Sequence, residues 1–109
     1  MKATANELFA KTNKWIEQNP DMWESFQYRA KKAAREKNHW SARGIAEALR
    51  WDGRYRKVYG EEYKIPNEIT PVLGRYVIAL YPETEYWFLR SKSKVDESDI
   101  DGALHDVVA

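Results

Sequence analysis

The chain has 109 residues, 43% hydrophobic and 32% charged, with a formal net charge of +1, which suits one domain built around a small core. It contains no cysteine, so a disulfide scaffold, a thiolate zinc site and a cysteine nucleophile are excluded. No apolar run approaches the roughly 20 residues that cross a bilayer. Residues 1–14 lack the apolar stretch of a secretory signal, so the expectation is a soluble cytoplasmic protein without a membrane partner.

Five Trp, seven Tyr and three Phe, 14% of the chain, supply large apolar faces for a core. A first helix is predicted over residues 5–18, where Leu8, Phe9, Trp15 and Ile16 fall on one stripe. Asn19-Pro20 ends it and opens a second helix, with Asn19 as cap and Pro20 where no amide is needed. Trp23, Phe26, Ala30, Ala33 and Ala34 form the second buried stripe. Asp21 and Glu24 lie in its first turn and Lys31, Lys32, Arg35 and Lys37 toward its end, as the helix dipole prefers. Ser41 caps a third, shorter helix to about Trp51, striped by Ala42, Ile45, Ala46 and Leu49 and stapled at its ends by Trp40 and Trp51.

Residues 54–58 and 63–65, rich in Tyr and β-branched side chains, flank Tyr59-Gly60-Glu61-Glu62 and predict a short hairpin. Thr70-Pro71 repeats the cap-then-proline device, with Asn67 as a rival cap, and Leu73, Tyr76, Val77 and Leu80 stripe a helix over 70–81. Tyr86-Trp87-Phe88-Leu89 is expected to fold back as an aromatic lid. Beyond Ser91 the chain reads as tail, in which Ile100, Leu104 and Val107 make a weak helical turn on binding a partner. The expected fold class is mainly α with a small β-hairpin. In outline it is a single winged helix-turn-helix-like domain over 1–90, with a flexible acidic tail over 91–109. Two registers are open: residues 41–49 support and 70–81 read, or residues 19–37 support and 41–51 read.

The net charge conceals an uneven distribution. Residues 29–64 hold eleven Lys or Arg against five acids, whereas residues 92–109 hold two bases and five acids. A basic middle with an acidic tail suits an anionic partner, and equally a solvated helix face followed by a solubilising tail.

The blocks NPDMW at Asn19–Trp23, SARGIAEALRW at Ser41–Trp51, YKIPNEITPVLGRY at Tyr63–Tyr76 and YWFLR at Tyr86–Arg90 resemble, in that order, a group of small phage and prophage proteins. The likeness spans roughly residues 19–90. It implies a phage or prophage origin and a bacterial host cytoplasm, and only weakly an activity, because few members have an assigned one. This chain departs from the group's pattern at Pro66-Asn67-Glu68, where relatives carry an Asn-rich stretch, and near Leu73 and Gly74.

Three classes of function follow. For binding to double-stranded DNA, Arg43 and Arg50 lie seven apart on one helix face, and Arg54, Arg56, Lys57 and Lys64 crowd the expected hairpin as phosphate contacts. Arg75, set between stripe residues, is the candidate for base readout. The plainer alternative is that these side chains lay their stems over the core's edge. A second class is a non-catalytic inhibitor or adaptor of a host protein, such as a defence nuclease or polymerase. Exposed aromatics would anchor it, and Asp96, Glu97, Asp99 and Asp101 would imitate phosphates. Third, Asp52, Glu62 and Lys64 echo the spacing of a metal-dependent nuclease, a pattern that chance supplies in so charged a chain. His39 and His105 join no catalytic or metal constellation. The sequence thus favours DNA binding without catalysis, cofactor or metal, and leaves homodimerisation open.

Overall fold

A computed structural model describes residues 4–52, 65–90 and 92–108. α1 (Ala5–Gln18) starts at Thr4, whose hydroxyl accepts from the Glu7 amide at 3.2 Å. Its stripe buries Leu8, Phe9, Thr12, Trp15 and Ile16, and the Thr12 hydroxyl is satisfied by donating to the Leu8 carbonyl at 2.7 Å. Asn19 works in the opposite direction to the one its sequence suggests. Its backbone and side-chain N–H groups both bond back to the Trp15 carbonyl, closing α1, and α2 (Pro20–Arg35) begins on the proline with no side-chain cap.

α2 ends in a tight reversal at Lys37, which has φ 60°. The Lys37 and Asn38 amides donate to the Ala34 and Ala33 carbonyls, the pattern of a helix end that favours glycine. After this reversal, Ser41 caps α3 (Ala42–Arg50) as its sequence predicts, accepting from the Gly44 amide at 3.0 Å.

α4 (Thr70–Leu80) buries seven of its first eight residues, Thr70 and Val72 through Val77. A helix that is apolar nearly all round belongs in the middle of a bundle, and α4 packs against α1, α3, the following 3-10 turn and the last helix, α5 (Ile100–Val108). Tyr76 sits at the centre, fully buried, with its ring stacked on Phe9 at 6.3 Å and edge-on to Trp23 at 6.4 Å. Its hydroxyl donates to Asn13 Oδ1 at 2.7 Å, so the polar tip is not stranded. Burial pushes the Tyr76 phenol well above the usual tyrosine range.

The 3-10 turn (Pro82–Trp87) carries the chain back to the α2–α3 connection. Trp40 takes a parallel bridge to Phe88: its amide donates to the Trp87 carbonyl at 2.9 Å and its carbonyl accepts from Leu89 at 2.7 Å. The Trp40 indole N–H donates to the Thr84 carbonyl at 3.0 Å, and its ring lies 4.4 Å from that of Phe88.

This architecture corrects the expected fold class. The described residues form a helical bundle with no strand and no sheet, only the single bridge at Trp40 and Phe88, so the winged outline does not hold. The expected hairpin falls on residues 54–58 and 63–65, which lie outside the described residues apart from Ile65, a buried residue in no regular element. The expected flexible tail is corrected too. Val95 is fully buried, Leu104 is 5% exposed, and α5 docks against α1 and α4 with Asn13 Nδ2 donating to the Ala103 carbonyl at 2.9 Å. An apolar spacing of four between Ile100 and Leu104 suffices for a helix here because α1 and α4 already present a face to receive it. Only part of the aromatic lid forms: Trp87 and Phe88 are half-buried, while Tyr86 and Leu89 face solvent. Trp51 is 61% exposed, with its ring centre 5.6 Å from the Arg50 guanidinium. No helix among the described residues is long and apolar enough to cross a membrane.

Candidate functional site

α3 turns its apolar stripe, Ala42, Ile45 and Leu49, into the bundle. The opposite face therefore carries Arg43, Glu47 and Arg50 at intervals of four and three, the spacing that aligns side chains along one side of a helix. These three residues form one wall of a cleft of about 300 Å³. Asn67, Thr70 and Pro71, at the approach to α4, form the facing wall, and Ile65, Phe88 and Leu89 add apolar surface.

The cleft exists because α3 and α4 cross closely below it. Gly74 makes that approach possible: a Cβ there would stand 3.1 Å from the Ala42 methyl and 3.0 Å from the Phe88 ring. The polar residues at the mouth of α4 serve the backbone as well. The Thr70 hydroxyl donates to the Pro66 carbonyl at 3.0 Å instead of capping the helix, whose N-cap is Ile69.

The three arginines of the cleft differ in their partners. Arg75, 3% exposed, donates from Nε to Asp96 Oδ1 at 2.8 Å, from Nη2 to Asp96 Oδ2 at 3.3 Å and from Nη1 to the Pro71 carbonyl at 3.2 Å. Its guanidinium also lies 5.6 Å from the Phe88 ring centre. The bonds from Arg75 hold the Asp96 carboxyl below the usual carboxylate range, against the smaller opposing effect of burial. Arg50 is half-buried, with its guanidinium 5.6 Å from the Trp51 ring centre, and its Nε is buried with no hydrogen-bond partner among the described residues. Arg43 is exposed, and among the described residues no carboxylate pairs with Arg43 or Arg50.

A second groove, of about 450 Å³, runs along the other flank of α3 and is lined by Arg29, Lys32, His39 and Gly44 among others. Ser41 and Leu89 line both grooves, so α3 stands between them. Lys32, Arg35 and Lys37 are exposed along the end of α2, whereas Arg29 pairs with Asp52 at 3.4 Å and Lys31 lies 4.3 Å from the Tyr81 ring centre.

Of the residues singled out in the sequence, the fold brings Arg43, Arg50 and Arg75 to one cleft. Arg54, Arg56, Lys57 and Lys64 lie outside the described residues, as does Glu62 of the nuclease-like spacing. Base readout by Arg75 does not fit its placement, because it is 3% exposed and three of its five donors bond to Asp96 and the Pro71 carbonyl. Asp96 is likewise held by Arg75 instead of standing out as a phosphate mimic. Glu47 is legible in the sequence, between the two arginines and on their own face of the helix. Asn67 and Phe88 carry no sequence signal of a shared site with Arg50, since only the tertiary fold brings the three to one cleft. No protein-family model, curated protein or solved structure matches this chain.

Proposed function

We propose that this chain is a small DNA-binding protein of phage or prophage origin. It binds duplex DNA without catalysis in a bacterial host cytoplasm and acts in regulation. The observation that carries this reading is the presentation of Arg43 and Arg50 on α3, unpaired by carboxylates among the described residues, between two grooves with basic linings. Unpaired guanidiniums on a ridge suit phosphate oxygens, which accept from two donors of one fork. Exposed Lys32, Arg35 and Lys37 extend the cationic surface from α2, and Arg54, Arg56, Lys57 and Lys64 continue it in the sequence. Arg75 takes no part in base readout here; it positions Pro71 and Phe88 at the cleft.

Fluorescence anisotropy with labelled duplex DNA across a salt series tests the reading. Affinity is expected to fall steeply with salt, and Arg43→Ala and Arg50→Ala are each expected to reduce the logarithmic salt slope by about 1. Absence of binding at low salt would remove the proposal. A second reading, a protein-binding inhibitor or adaptor, is favoured by exposed Tyr86, Trp51, Leu89 and Tyr28, at 81%, 61%, 59% and 55% of full exposure. On that reading Tyr86→Ala, not Arg43→Ala, weakens association with the partner, since buried aromatics anchor such interfaces.

A further inference from the structure

We infer that the cleft between α3 and α4 is a pocket for one nucleoside 5′-monophosphate unit, presented as the phosphorylated end of a DNA strand; this rests on the DNA-binding reading above. The shape argues first. A duplex backbone is a convex ridge and suits an exposed helix face, whereas a concavity of about 300 Å³ holds a single small ligand. A strand end, or a nucleotide freed from pairing, is the part of DNA that enters such a space.

The chemistry of the lining narrows the ligand. Arg43 and Arg50 offer two cations with no ion-pair partner among the described residues, which suits the phosphate of a strand end. The buried Nε–H of Arg50 has no acceptor among the described residues, so the fold leaves one donor of this side chain unsatisfied beside the cleft. Glu47, between the two arginines, argues against a bare oxyanion, which it would repel. It accepts instead from an amino group on a base edge. Phe88, Pro71 and Ile65 provide apolar surface for the base itself. Asp96 holds Arg75 away from this role, so the pocket's charge rests on the two arginines of α3.

The test measures the folded full chain against duplexes with a short unpaired 5′ overhang, ending either in phosphate or in hydroxyl. Free deoxynucleoside 5′-monophosphates and inorganic phosphate serve as separate competitors. The expected result is at least tenfold tighter binding of the phosphorylated end. Free monophosphates with an amino-bearing base should compete, and inorganic phosphate should compete far less well. Arg50→Gln should abolish the preference for the phosphorylated end, and Glu47→Gln should weaken the preference among bases. Equal binding of the two ends, with no competition by monophosphates, overturns the pocket while leaving DNA binding in place. Binding of free monophosphates without any binding of DNA supports the pocket and removes the DNA-binding reading, identifying a free nucleotide as the source. Binding of neither removes both.

Discussion

Arg75 and Asp96 form a bidentate ion pair at the edge of the core. Arg75 is 3% exposed and the Asp96 side chain 27%, so the pair is partly desolvated, and its two nearly parallel bonds have the geometry in which an arginine–carboxylate pair is strongest. Removing the carboxylate leaves a buried guanidinium short of an acceptor. Asp96→Asn is therefore expected to cost about 1–3 kcal/mol at neutral pH. Because Asp96 is held below its ordinary pKa in the folded state, its contribution is present above about pH 4, the unfolded value. It is lost as pH falls through the lower native value. Thermal denaturation of the two proteins should show a gap at pH 7 that closes on acidification; equal stability at pH 7 would show that the pair contributes nothing.

At the scale of elements, the crossing of α3 over α4 depends on Gly74. A methyl group at that position meets the Ala42 side chain at 3.1 Å and the Phe88 ring at 3.0 and 3.3 Å, all within well-packed surroundings. Gly74→Ala gains helix propensity but overpacks the junction, and the net expectation is a loss of about 1–3 kcal/mol. Urea denaturation measures it, and a more stable variant would mean that Phe88 moves aside freely. The same junction sets the width of the cleft, so this substitution should also weaken whatever the cleft binds. Trp40 secures the other side of the arrangement: three hydrogen bonds tie it to Thr84, Trp87 and Leu89 and so hold Phe88 beneath α3. The α2 reversal at Lys37 and the capping of α3 by Ser41 are local devices, and both serve to deliver α3 to that place.

At the scale of the whole molecule, the described C-terminal segment, residues 92–108, contributes side chains to the core. Val95 and Leu104 are buried, and Ile100, Ala103 and Val107 pack partly against the same cluster. Burying two such side chains is worth about 3–6 kcal/mol together, a large share of the stability of a small domain. Ending the chain at residue 91 also removes Asp96 from Arg75. Such a truncated protein is expected to lose most of its cooperative unfolding transition; an unchanged midpoint would restore the tail to the role of an appendage.

The helices themselves were legible. Periodic stripes and the Ser41 cap are local signals, and α1, α2, α3 and α4 begin and end within two residues of where those signals put them. Local patterning also picked out Arg43 and Arg50, because the side of a helix that a residue occupies follows from its spacing alone. What spacing does not contain is the partner of each face. The acidic composition of residues 92–109 suggested a solvated tail, yet a few apolar residues at helical intervals were enough once α1 and α4 offered a surface to receive them. Arg75 looked like a contact for DNA for the same reason, since the sequence could not show Asp96 approaching from twenty-one residues away. Local sequence determined which segments are helical and which way α3 faces, because those depend on neighbours within a turn or two. Tertiary structure alone decided that the C-terminal segment is core, that Arg75 is structural and that Arg43, Glu47 and Arg50 face a cleft, because each depends on long-range packing that no local pattern encodes.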